Sequence, residues 1–230
     1  MTGIIGAMAI EIDRLTAAME ERRSETISGI EFTKGILCGQ EVVCAVCGIG
    51  KVFAAMCAQT MILRYSPDRI INTGVAGSLS PALGIGDIAV SDCVVQHDMD
   101  TSPLGDPVGM ISGINLVKIP ADAELARKFI LSAERIGGIK CVLGTIASGD
   151  CFVNDSGKKD YIERTFGASA CEMEGAAIGQ VCFVNSVPFC VVRAISDNAD
   201  GSSHMDFAEF TRIAAKNSAA VITELLSAEK

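Results

Sequence analysis

The chain has 230 residues, 49% hydrophobic and 20% charged, with a formal net charge of −9 at pH 7. That length gives a single domain ample core, and one domain over 1–230 is expected. The acidic balance excludes nucleic-acid binding, which needs clustered Lys and Arg, and the apolar runs are too short and too broken by charge to span a membrane.

Gly3 to Met8 reads as a first buried strand. No basic segment precedes it and Glu11 follows early, so it is no signal peptide, and a cytoplasmic protein is expected. Ile10, Ile12, Leu15, Ala18 and Met19 recur at helical spacing and predict a helix over Ala9 to Arg22. Glu31 to Leu37 and Glu41 to Cys47 read as strands joined by a hairpin turn at Cys38-Gly39-Gln40. Gly48-Ile49-Gly50-Lys51 breaks that pattern before a helix over Val52 to Arg64. A strand over Arg69 to Thr73 is expected to end in the turn-like Gly74-Val75-Ala76-Gly77-Ser78, and Gly86 to Gln96 is again rich in strand formers. His97 to Pro120 carries many Asp, Gly, Pro and Ser, and a loop of that length in a compact domain is usually functional or interfacial. Beyond it come a helix over Asp122 to Ile136, a strand over Lys140 to Ala147 ending in Ser148-Gly149-Asp150-Cys151-Phe152, and helices over Lys158 to Phe166 and Met173 to Val184. A strand over Val187 to Ile195 and a closing helix over Met205 to Glu229 finish the chain. Strands alternating with helices predict an α/β fold with a mixed central sheet flanked by helices.

The 10 cysteines are scattered through apolar segments, as reduced core thiols are. Cys44 and Cys47 form a C-x-x-C, but in a strand they face opposite ways. His97 and His204 lack metal-ligand spacing, and no G-x-G-x-x-G or Walker pattern is present, so no metal, dinucleotide or other cofactor is expected.

What stands out is a set of carboxylates in apolar surroundings. Glu172 and Glu174 interrupt the small, apolar run Cys171 to Ala177, and Asp197 follows the last hydrophobic strand. Acids in such places cost free energy unless they are hydrogen-bonded or functional, and open α/β sheets place their ligands beyond the C-terminal ends of strands. With Glu11 after the first strand, they point to a site that holds a polyol and moves protons. Glycines at the strand ends let backbone N–H groups approach a ligand, as at Ala76-Gly77.

In order, Gly3-Ile4-Ile5-Gly6-Ala7-Met8 with Glu11, Gly48-Ile49-Gly50-Lys51, Ile70 to Gly74 with Ala76-Gly77, Gly86-Asp87, Ser148-Gly149-Asp150 with Phe152, Glu172-Met173-Glu174 and Val191 to Asp197 resemble the family of 5′-methylthioadenosine/S-adenosylhomocysteine nucleosidases, within the nucleoside phosphorylase superfamily. The resemblance runs nearly end to end and implies that superfamily's three-layer fold. It implies hydrolysis of the N-glycosidic bond of 5′-methylthioadenosine and S-adenosylhomocysteine, with 5′-deoxyadenosine as a further substrate, in methionine salvage and the recycling of S-adenosylmethionine by-products. Asp197 then matches the acid that protonates adenine, with Ser196 beside it, and Glu11 the base that readies the attacking water. Glu174 matches the acceptor for the ribose 2′- and 3′-hydroxyls. Phe152 stacks on adenine while the backbone of Val153 reads its edge, and Met8, Ile49, Met173 and Phe207 form an apolar pocket for the sulfur substituent. Arg193 either organises the water side of the site or serves as the buried partner of Glu172, which also belongs to the binding set.

Three departures from the family pattern stand out. Ala9 and Ile10 precede Glu11 where the family has further acids, Val75 stands where it usually has Ser, and the loop over 97–120 is unlike the common version. The resemblance further implies a homodimer with loop 97–120 at its interface. The rivals are a purine nucleoside phosphorylase, an aminodeoxyfutalosine nucleosidase of the same group, and a non-catalytic nucleoside binder. A phosphorylase needs cationic groups around its phosphate, and Ala7 to Ile10 supply none.

Overall fold

A computed structural model describes residues 1–199 and 207–229, with the backbone alone for Phe207 and Ala208. In chain order the elements are β1 (Thr2–Gly6), α1 (Ala9–Ala17), β2 (Glu20–Ile27), β3 (Ile30–Leu37), β4 (Gln40–Val46), α2 (Lys51–Tyr65), β5 (Arg69–Ser78), β6 (Ile88–Gln96), β7 (Ile119–Pro120), α3 (Ala123–Ile136), β8 (Cys141–Ser148), α4 (Ser156–Phe166), β9 (Ala168–Glu172), α5 (Gly175–Val184), β10 (Phe189–Asp197) and α6 (Phe207–Ala228).

The strands form one mixed sheet. β1 lies between β4 and β5 and is parallel to both, and β10 runs parallel along the other side of β5. The second half of β5 also pairs with β9, so β5, β10, β6, β8 and β9 close into a ring, while β4, β3 and β2 extend from β1 as an antiparallel meander. Burial follows position: every residue of β1 and β10 is buried, as strands covered on both faces must be. One face packs Ile5, Val43, Ile70 and Val191 against α2 and α5 through Ala54, Cys57, Met61 and Ile178. The other packs Ile4, Val42, Ile71 and Val192 against α1, α3 and α6 through Ile12, Leu15, Phe129, Ile222 and Leu225. Full burial of such aliphatic and aromatic side chains contributes about 1.5–3 kcal/mol each. The three-layer α/β expectation therefore holds.

The helix ends follow ordinary capping chemistry. Asp122 accepts from the Leu125 N–H at 2.7 Å and starts α3, and Asp155 accepts from the Lys158 N–H at 2.8 Å and starts α4. At α1 the Glu11 side chain reaches back to the Met8 N–H, the reciprocal half of a capping box.

Three expectations are corrected. The first helix stops at Ala17 rather than Arg22, and Glu20–Ile27 is a strand. Its residues are almost all exposed, so no apolar alternation marks it; among the described residues it is an edge strand paired only with β3. Its hairpin turn, Ser28-Gly29 with both φ angles positive, repeats the geometry of Cys38-Gly39. Gly74 to Ser78 do not turn but continue β5, held by β10 on one side and β9 on the other. Asp197 is the last residue of its strand rather than a residue beyond it. Within 97–120 the chain makes a short 3-10 turn at Ser102–Leu104 and the two-residue β7 against β6. All ten cysteines are free, and Cys44 and Cys47 fall in the cores on opposite faces of the sheet. The expected helical start at Met205, and His204, lie outside the described residues.

Candidate active site

The parallel strands β1, β5 and β10 all end at the same edge, and a cavity of about 210 Å³ opens there. Ala7, Met8, Glu11, Ile49, Val75, Ala76, Gly77, Cys151, Phe152, Val153, Cys171, Glu172, Met173, Glu174, Ser196 and Asp197 line it. Every expected site residue is among them except Arg193, which sits behind the wall, and Phe207, whose side chain lies outside the described residues.

Glu11 is 2% exposed and held by the main chain. Its Oε2 accepts from the N–H groups of Ala7 at 2.8 Å and Met8 at 2.9 Å, and its Oε1 from that of Val75 at 2.9 Å. The third donor comes from the neighbouring strand, so the carboxylate bridges β1 and β5. Gly74 makes this possible: a Cβ there would sit 2.6 Å from Glu11 Oε1 and would overlap the Arg193 guanidinium. The small residues of β5 leave room for charged groups packed on the strand rather than making a turn.

Asp197 is held at the other side of β5. Its Oδ1 accepts from the Ala199 N–H at 2.8 Å and its Oδ2 from the Ser196 hydroxyl at 3.0 Å. Asp197 pairs in register with Gly77, whereas Glu11 is bound by Val75. Those positions are two residues apart on one strand, about 7 Å. Both acids thus line the same cavity, Glu11 from the β1 side of β5 and Asp197 from the β10 side.

Glu172 and Glu174 lie at the end of β9 and the start of α5 but do different things. Both oxygens of Glu172 are engaged by the protein: the N–H groups of Glu174 and Gly175 donate to it at 2.8–3.0 Å, and Ser148 Oγ and the Arg193 guanidinium bind it closely. Arg193, 1% exposed, also donates to Asn72 Oδ1, whose amide in turn donates to the Ile5 carbonyl. Of the two roles open to Arg193, the structure thus displays the pairing with Glu172. Burial opposes its charge, but Glu172, Glu174 and Glu11 outweigh that and hold its pKa above the ordinary value. Glu174 keeps more of its acceptor capacity. Its Oε1 takes the Gly50 N–H at 2.9 Å, and its Oε2 is 3.7 Å from Arg193. The Gly50 N–H is aimed there by a φ of 99°, which favours glycine. Burial first, then the charge of Glu172, push the Glu174 carboxyl up to about 7.

Ile49 and Phe152 are more than half exposed at the mouth, with the partly buried Met8 and Met173 further in. Ala7, Val75, Cys151 and Cys171 also line the cavity, though none was among the expected site residues. Main-chain donors leave no mark in a sequence, and the cysteines are buried or half-buried like the other thiols. Among the described residues no group of three or more His, Cys, Asp and Glu is placed to hold a metal ion.

Residues 2–227 match the family model described as the Phosphorylase superfamily, the class that this sheet and the cavity at its strand ends define. Within that class the chain belongs to the 5′-methylthioadenosine/S-adenosylhomocysteine nucleosidase family. It is 43% identical over 225 residues, 97% of each chain, to the nucleosidase of that name from Shewanella pealeana. It superposes on the Neisseria meningitidis nucleosidase in complex with methylthio-immucillin-A with a TM-score of 0.95, at 34% identity, covering 99% of this chain and 98% of that one. The native futalosine hydrolase of Helicobacter pylori superposes with a TM-score of 0.93, at 35% identity, covering 99% of this chain and 97% of that one.

Proposed function

We propose that the protein hydrolyses the N-glycosidic bond of 5′-methylthioadenosine and S-adenosylhomocysteine, with 5′-deoxyadenosine as a further substrate, releasing adenine and the corresponding sugar. The presence of Glu11 and Asp197 in the lining of one cavity supports this reading. Among the described residues Oε2 of Glu11 bears two amide donors and Oε1 one, so Oε1 keeps more acceptor capacity to orient and deprotonate a water. Asp197 gives its proton to ring N7 of the departing adenine, with Ser196 and Ala199 fixing its direction. Glu174 takes the 2′- and 3′-hydroxyls, a grip that strengthens as the sugar becomes oxocarbenium-like. Phe152 stacks on the base, the Val153 backbone reads its edge, Ala76 and Gly77 border it, and Met8, Ile49 and Met173 receive the 5′-thio group. Glu172 acts with Arg193 as a fixed charge pair that orients the start of α5.

No Lys or Arg is among the described residues lining the cavity, which speaks against bound phosphate as nucleophile. The test is a panel of adenine nucleosides assayed with and without phosphate. Adenine and free methylthioribose are expected at an unchanged rate as phosphate rises; methylthioribose phosphate as the main product would end this reading. The likeness to a futalosine hydrolase supports aminodeoxyfutalosine as a second substrate, and relative kcat/KM values from competing the two nucleosides decide the preference.

The pKa of Glu174 sets a pH dependence. Below about 7 its carboxyl is protonated and has lost an acceptor for the ribose, so affinity falls as pH falls. KM for methylthioadenosine is expected to rise several-fold from pH 7.5 to pH 6. A KM that is flat over that range would remove Glu174 from the sugar grip.

The protein acts as a homodimer in this proposal. Val52, Phe53, Met56 and Leu63 on α2, with Phe183 and Val184 on α5, leave an apolar face uncovered, and Leu104 in loop 97–120 is 84% exposed. A second copy covers these surfaces, with loop 97–120 at the interface. Sedimentation at micromolar concentration is expected to give a dimer; a fully active monomer would refute it. No helix among the described residues is long and apolar enough to cross a membrane, and ten unpaired thiols suit the reducing cytoplasm, where the proposal places the protein.

A further inference from the structure

Asp197 is held from one side by a strained piece of main chain. Ala199, whose N–H donates to Asp197 Oδ1 at 2.8 Å, has a φ of 53°, in the left-handed region that costs a residue with a Cβ free energy. It is buried all the same, in a cluster that joins α4 to β8 and β9 through Ile162, Ala147 and Cys171. Gly77 leaves it room, because a Cβ there would fall 2.9 Å from both Ala199 Cβ and Asp197 Oδ1. A conformation of this kind persists only where the surroundings fix it.

Lys159, half-buried on α4, supplies such a fixture. Its Nζ donates to the Asn198 carbonyl at 2.7 Å. That carbonyl and the Ala199 N–H belong to one peptide unit, planar and trans, so they point in opposite directions. Lys159 grips one end of the plane and Asp197 the other. An ammonium on an amide oxygen also polarises the N–H at the far end and strengthens it as a donor. Lys158, one residue earlier, is engaged elsewhere, 2.6 Å from Cys151 Sγ. The charges of Lys159 and Asp197 meet again at the Cys171 thiol in the cavity wall: burial first, then Asp197 and Glu172, raise its pKa, and Lys159 opposes them.

We propose that Lys159 is a positioning residue for Asp197, acting through the 198–199 peptide. It is not among the residues lining the cavity and touches no reacting atom. It keeps the peptide in the orientation that aims the Ala199 N–H at Oδ1, and so keeps the Asp197 carboxyl turned toward the departing base. The role rests on the function proposed above, in which Asp197 protonates adenine.

The test compares the parent, Lys159→Met and Lys159→Arg on two substrates. With methylthioadenosine, Lys159→Met is expected to lower kcat about tenfold, a fraction of what a positioned general acid contributes, while KM stays within about twofold. Lys159→Arg, which keeps the charge and the reach, is expected to restore most of the loss. The second substrate is 4-nitrophenyl 5-methylthioriboside, whose phenolate leaves as a stabilised anion and needs no proton. The parent and Lys159→Met are expected to cleave it equally. Equal loss on both substrates would overturn the role, because a defect that is merely structural slows both. A raised KM with kcat unchanged, or no rescue by Lys159→Arg, would overturn it too. A parent that releases no adenine from methylthioadenosine sinks the proposed function and this role together, whereas an active parent matched by Lys159→Met sinks the role alone.

Discussion

Asp197→Asn is expected to lower kcat about a thousandfold while tight binding of nucleoside analogues survives. The amide has nearly the shape of the acid, and the structure has a place for each of its atoms. Its oxygen takes the Ala199 N–H, and its NH₂ meets the Ser196 hydroxyl, which can turn and accept. No buried group loses its partner, so stability changes by about 1 kcal/mol or less. What disappears is the proton that adenine must receive as it leaves, and a positioned general acid contributes about a hundred- to ten-thousand-fold. Steady-state adenine release beside calorimetric binding of an analogue checks both halves. A kcat within tenfold of the parent would remove Asp197 from the acid's role.

Glu11→Gln is expected to lose activity on a similar scale but, unlike the change at 197, to destabilise the fold. Three backbone N–H groups converge on this carboxylate, two on one oxygen and one on the other. A carboxamide has a single acceptor atom. Whichever way it turns, its NH₂ faces at least one main-chain donor, and that buried N–H is left without a partner. Such a loss costs about 1–3 kcal/mol, and loss of the base costs about a hundred- to ten-thousand-fold in kcat. Urea unfolding and kcat, measured on the same preparation, test the pair. Unchanged stability would contradict the amide cradle, and near-normal turnover would contradict the base.

The contrast also shows which parts of the molecule are legible in its residues. Glu11, Glu172, Glu174 and Asp197 stand out because charge inside apolar runs demands a reason, and all four line one cavity. Their division of labour does not stand out. Glu172 and Glu174 look alike two positions apart, and only the fold shows the first consumed by Arg193, Ser148 and two amides while the second keeps room for a ligand. Strands covered on both faces, such as Phe189–Asp197, declare themselves by continuous hydrophobicity. Glu20–Ile27 cannot, because its partner lies on one edge and solvent surrounds the rest. Gly74 to Gly77 mislead for a different reason. Glycine serves both for turning and for close approach, and the groups that approach here, Glu11 and Arg193, come from distant parts of the chain.

The substitution of Val for Ser at position 75 takes on another meaning in this light. A hydroxyl is absent there, yet the bond that restrains the carboxylate of Glu11 comes from the peptide nitrogen of Val75, which every amino acid but one supplies. A change of side chain at this position therefore leaves that donor in place, and only proline, which has no hydrogen to give, removes it.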